Sequence, residues 1–195
     1  AEDLTDRLDR LDPDRVCTVV VPEAPFEHRG QAIWHRALMS APEEAEQQYL
    51  HSLALLDDLL GRVETETGLS AGEAIVGGFS QGGGQAFGLL LAAGIQHRPA
   101  AAFGICSFPP AFGGFLVDPV AAAGRRCFLA SAIHDRFAPI EGSRAGACRL
   151  RDAGLRTLPG TAAQVTLLRE DWELVTAPTG PRSSAELAAE PGRGV

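Results

Sequence analysis

Gly78-Phe79-Ser80-Gln81-Gly82-Gly83 sets a serine between glycines two residues before and two after it. An apolar run, Ala74-Ile75-Val76-Gly77, precedes it, and a helix-like one, Gln85-Ala86-Phe87-Gly88-Leu89-Leu90-Leu91, follows. Strand, Gly-x-Ser-x-Gly, helix is the setting of a nucleophile elbow, a strained turn that presents a serine hydroxyl for acyl transfer. Strand and helix almost touch there, so the positions flanking the turn must be tiny, and Gly78 and Gly82 meet that demand. Gln81 comes next, which makes its backbone N–H a candidate donor to a developing oxyanion. The rival reading is a Gly-rich turn whose serine caps a helix.

A serine nucleophile also needs a base to take its proton and an acid to orient the base. Asp135 lies just past the apolar run Arg126–Ile133, where such an acid belongs; its rival reading is a helix cap before Pro139. The histidines are His28, His35, His51, His97 and His134, and none follows Asp135. His134 is adjacent to Asp135, but neighbouring side chains at a strand end diverge. His28 and His35 flank Trp34 and are the candidates for a displaced base. His51 and His97 read as solvent-facing or locally bonded.

The wording Gly-Phe-Ser-Gln-Gly-Gly resembles the acyl-protein thioesterase, lysophospholipase and carboxylesterase family of small α/β-hydrolases. Val19-Val20-Val21-Pro22-Glu23-Ala24-Pro25-Phe26 is similar to that family's strand followed by P-x-A-P, with Trp34 where a site-proximal tryptophan is usual. Asp135-Arg136-Phe137-Ala138-Pro139 resembles its D-x-x-V-P stretch, which implies that Asp135 is the triad acid. The resemblance extends from about Val16 to Pro178. Arg169-Glu170-Asp171-Trp172-Glu173 then looks like the family's G-H-E stretch, with Trp172 at the position of the histidine. An indole N–H can donate a hydrogen bond but cannot accept a proton. A second oxyanion loop, typically His-Gly-x-Gly after an early strand, has no counterpart, and Ala1–Leu8 resembles the helix after that loop. The resemblance thus implies an ester or thioester hydrolase with an impaired site. The alternative is a non-catalytic relative that binds or scaffolds.

The chain has 195 residues, 45% hydrophobic and 22% charged, enough for one domain with its own core. The expected division is a single domain over residues 1–178 and a tail or frayed helix over 179–195. A net charge of −8 argues against nucleic acid and anionic membranes as partners. No apolar run approaches about 18 residues, so no membrane span is expected, and cytoplasm is the default location. Four cysteines lack ligand or disulfide spacing; Cys17, Cys106 and Cys127 read as small buried hydrophobes. No metal and no organic cofactor is implied. The expected partner is a small, apolar acyl ester or thioester, with a homodimer left open.

Continuous apolar runs predict strands at Val16–Val21, Ala74–Gly77, Ala100–Cys106, Arg126–Ile133 and Gln164–Leu168, buried on both faces. Between them, Ala45, Tyr49, Leu53, Leu56 and Leu60 form one helical stripe, bounded by Pro42 and Gly68. Further helices are expected over Gln81–Ala93 and Pro139–Ala153. The fold class is therefore α/β: a mainly parallel, hydrolase-like sheet with helices on both faces, its early strands missing, and its site at the carboxyl ends of the strands. Ser107–Gly124, with Phe108, Pro109, Pro110, Phe112 and Phe115, is expected either to cover that site as a flap or to pack on the core.

Overall fold

The computed structural model describes residues 12, 14–36, 41–109, 111–112, 114–157 and 172–174. The expected strand at 164–168, the tail at 179–195 and Pro110 lie outside these residues. The chain first makes a hairpin, β1 (Phe26–His28) against β2 (Gln31–Ile33), antiparallel with His28 registered to Gln31. Arg29 and Gly30 turn it with φ of 52° and 76°, the left-handed pair that a two-residue hairpin loop requires.

Helix α1 (Pro42–Thr67) follows, with proline in its first turn and a left-handed Gly68 (φ 74°) closing it through a bond from its N–H to the Glu64 carbonyl. Its stripe buries Ala45, Tyr49 and Leu53, with Leu56 and Leu60 packed alongside. Asp57, also buried, accepts from the N–H groups of Gln96 and His97 and so fixes the turn after the next helix. His97 is thereby tied to α1, 40 residues away, rather than to a sequence neighbour, and His51 meets Phe26 of the hairpin at 5.7 Å between ring centroids.

Strand β3 (Ile75–Phe79) leads straight into α2 (Gln81–Leu91), and then β4 (Ala101–Ile105), the short α3 (Pro119–Ala122), β5 (Arg126–Ala132) and α4 (Ile140–Asp152). Strands β3, β4, β5 and β6 (Arg156–Thr157) lie in that order and run parallel. Residues Trp172–Leu174 form β7, which pairs antiparallel with the far end of β5. Helices between parallel strands return on one face: α2 supplies Ala86, Phe87 and Leu90 and α4 supplies Ile140, Ala147 and Leu150 against Ala102, Cys127 and Leu129. Among the described residues the helical side chains of this core all come from that face. On the opposite face Ile75 and Phe79 remain 70% and 67% exposed, so burial alternates along β3 and β4 rather than covering both faces as expected.

Two expectations are corrected. Val16–Val21 forms no strand: Val16, Val19, Val20 and Val21 are 81, 47, 46 and 52% exposed. β-branched residues favour strands only where a neighbouring ladder receives them, and here the Asp12 carboxylate instead accepts from the N–H groups of Val16 and Cys17. Cys17 is consequently exposed, whereas Cys106 and Cys127 are buried as expected. Of the two readings left open for the loop after β4, core packing is the one found. Ser107 and Pro109 are buried, Phe112 packs on Tyr49 at 5.0 Å and Phe115 on Tyr49 at 5.9 Å. Apolar area decides this: rings that can reach a core leave water rather than stay over a cleft.

Candidate active site

Register aligns the carboxyl ends of three adjacent strands, with Phe79 beside Ile105 and Ile105 beside Ala130. One residue later β3 breaks at Ser80, with φ 53° and ψ −120°. Positive φ in a non-glycine residue costs of order 1–3 kcal/mol and persists only when its surroundings over-determine it. The surroundings do so. The Ser80 N–H donates to the Ile105 carbonyl at 2.9 Å, extending the ladder, while the Ser80 carbonyl accepts from Gly84 at 3.2 Å, opening α2. A Cβ on Gly78 would come within 2.6 Å of the Gly82 carbonyl carbon, and one on Gly83 within 2.8 Å of the Gly78 oxygen. Glycine is required on both sides of the crossing.

Ser80 is exposed, and its side chain makes no capping bond to α2. The rival reading of a helix-capping serine therefore fails. The turn leaves Ser80 exposed at the sheet edge beside the first turn of α2, whose N–H groups, that of Gln81 among them, have no partner within the helix.

Gln81 uses its side chain as well. Its Oε1 accepts from the Trp34 N–H at 3.0 Å and its Nε2 donates to the His35 carbonyl at 2.8 Å. Trp34 is thereby brought to the elbow: its indole Nε1 lies 3.6 Å from where a Cβ on Gly82 would stand. The sequence flagged Trp34 and Gln81 separately; their pairing had no local signal, since 47 residues separate them.

The two displaced-base candidates part here. His28 stands at the hairpin turn opposite Gln31, while the His35 backbone is bonded to Gln81. The His35 Nδ1 sits 2.7 Å from the Arg36 carbonyl, so that nitrogen carries the proton and Nε2 is left as the acceptor. The ring lies edge-on to Tyr49 and Phe112, and burial pushes its pKa below the ordinary histidine value, outweighing the bond to Arg36. A neutral imidazole is the form in which a base must rest.

Asp135 follows β5. Its Oδ1 accepts from the N–H groups of Ala138 at 2.9 Å and Phe137 at 2.7 Å, and the Cys106 thiol lies beside its carboxylate. These donors, the Ala138 N–H foremost, hold the carboxyl below its usual range, against a smaller effect of burial. Cys106 itself ends β4 with φ 50°, the second left-handed non-glycine residue at this edge, and its N–H donates to the Ala130 carbonyl at 2.7 Å. Burial pushes its thiol up, so it stays protonated and can donate. Sequence reasoning read Cys106 as core filling and missed its contact with Asp135, because nothing in a lone cysteine signals a carboxylate partner.

Because its folded pKa is depressed, the contribution of Asp135 to stability is present above the unfolded value of about 3.9 and fades as pH falls through the lower folded value. A carbon-13 NMR titration of the Asp135 carboxyl should give a midpoint below that of a free aspartate. Cys106→Ala should raise the midpoint and Cys106→Ser should largely restore it. A midpoint indifferent to both changes would show that the thiol does not hold the carboxylate.

Trp172 opens β7 and is registered opposite Ala132, at the same carboxyl end of β5 that Asp135 follows. The position that by resemblance should carry a histidine therefore lies on a strand paired with β5 rather than in a loop beyond the last strand.

No protein-family sequence model matches the chain, and no curated protein matches it by sequence. By structure it is similar to a carboxylesterase of Bacillus cereus, with 17% identity over 73% of this chain and 68% of that one and a TM-score of 0.59. It is also similar to esterase PE8, with 19% identity over 83% and 80% of the two chains and a TM-score of 0.55. At these identities the likeness is one of fold alone, an α/β arrangement with a mainly parallel sheet.

Proposed function

We propose that this chain is a serine carboxylic-ester or thioester hydrolase-like protein, related to the small carboxylesterases and acyl-protein thioesterases. Ser80 is its nucleophile, Asp135 the acid and the Gln81 N–H an oxyanion donor. The observation that carries the reading is the strained Ser80 turn, whose hydroxyl caps nothing and whose glycine crossings leave no room for side chains. A strained turn at a strand-to-helix junction is kept where the strain has a use. The substrate is a small, apolar acyl compound, which approaches along the wall made by Trp34.

The reaction on this reading is limited by its base. No histidine follows Asp135 in the sequence, and by resemblance Trp172 holds the position of the missing one. That same observation favours a second reading, a non-catalytic relative that binds acyl compounds. Steady-state assays on p-nitrophenyl acetate and a short acyl thioester separate the two. The proposal expects slow, saturable turnover, roughly 10³–10⁴ above spontaneous hydrolysis, as sites lacking one triad member retain. Binding without turnover above the blank would give the second reading the field.

No described helix is long and apolar enough to cross a membrane.

A further inference from the structure

Residues Trp34–Arg36 cross from β2 towards α1 without regular secondary structure, yet five of their backbone polar groups meet side chains. The Trp34 N–H and the His35 carbonyl are taken by Gln81. The Trp34 carbonyl accepts from the Ser52 hydroxyl at 2.7 Å, and the Arg36 N–H donates to Gln48 Oε1 at 2.8 Å. The Arg36 carbonyl meets Nδ1 of His35. Helix α1 thus holds one side of this strap and the elbow holds the other.

The bonds to Gln81 are the informative ones. A connection that only had to reach α1 is already satisfied by Ser52 and Gln48. Instead, the residue directly after Ser80 turns both halves of its amide to the strap, an acceptor to one peptide and a donor to the next, as a neighbouring strand would. One orientation of the amide satisfies both partners, so its geometry is fixed.

We propose that the Gln81 side chain is a positioning residue, clamping the Trp34–Arg36 strap to the elbow so that Trp34 forms a fixed wall of the Ser80 site. The clamp stands on the hydrogen bonds alone; its effect on catalysis rests on the reading of Ser80 given above. The elbow and the wall therefore move together. A side chain at position 81 that cannot bond both peptides leaves the backbone N–H in place while releasing the wall.

The test uses two variants. Gln81→Glu is isosteric and at neutral pH can accept from Trp34 but cannot donate to His35; Gln81→Met keeps the volume and loses both bonds. In a Trp172→Phe background, Trp34 is the sole tryptophan, since the chain has two. Acrylamide quenching of Trp34 should rise at least about twofold in Gln81→Met, and by less in Gln81→Glu, as local opening exposes the indole. In a Trp172→His background, KM for p-nitrophenyl esters should rise about fivefold with kcat changed less, the split expected when binding rather than chemistry is lost. Far-UV circular dichroism and the melting temperature report whether each variant folds. Quenching that matches the parent in both folded variants would overturn the clamp, and a loosened Trp34 with KM unchanged would overturn its role as a wall of the site. If Trp34 loosens while the Trp172→His chains hydrolyse nothing, the clamp holds and the assignment of Ser80 falls instead.

Discussion

Trp172→His is expected to raise kcat/KM on p-nitrophenyl acetate by about 10²–10⁴-fold, the contribution of a positioned general base. On the proposed reading Ser80 lacks a base after Asp135, which would leave its hydroxyl a weak nucleophile with a high pKa. Residue 172 is the position to change because β7 sets it opposite Ala132, at the end of β5 from which Asp135 emerges. An imidazole there can accept the proton that an indole cannot. The gained activity should appear as pH rises through about 6.5, the ordinary histidine value, since the base must be neutral to act. Steady-state kinetics between pH 5 and 9 read both features. A rate equal to the parent at every pH would show that position 172 is not where the base belongs.

In that Trp172→His background, Ser80→Ala should abolish the entire gain, again about 10²–10⁴-fold. In the parent chain the same change should cost far less. Members of a triad act as a unit, so once one is absent the removal of another has little left to remove. The contrast between the two backgrounds is the measurement, taken as kcat/KM for all four chains. Robust parent turnover that vanishes in Ser80→Ala would mean that a base is already present. His35, neutral and bonded through its backbone to Gln81, would then be the residue to mutate.

The glycine pattern around Ser80 was legible because it is local: strand, turn and helix run unbroken from Ile75 to Leu91, although the steric demand falls on Gly78 and Gly83 and not on Gly82, where a Cβ would meet only ordinary contact at 3.6 Å. The stripe of α1 and the runs of β4 and β5 were legible for the same reason. Val16–Val21 misled because β-branched composition reports a preference for a sheet surface, and no described strand offers that surface to these residues. The loop after β4 could be read two ways from its phenylalanines alone, and Tyr49, more than fifty residues earlier, decided between them. Gln81 with Trp34 and Cys106 with Asp135 could not be read at all. Each is a pair of ordinary residues far apart in the chain, joined only when the strand ends are aligned.

The most direct test is covalent. A fluorophosphonate reacts with an activated serine hydroxyl, displaces fluoride and leaves a stable phosphonyl ester, so the labelled residue names the nucleophile. With the parent, Trp172→His and Ser80→Ala chains incubated in parallel and mapped by peptide mass spectrometry, the adduct should form on Ser80, slowly in the parent and faster in Trp172→His. Ser80→Ala should remain unlabelled. Labelling confined to another serine, or an unlabelled Ser80 in the folded Trp172→His chain, would contradict the assignment of Ser80 as the reacting group.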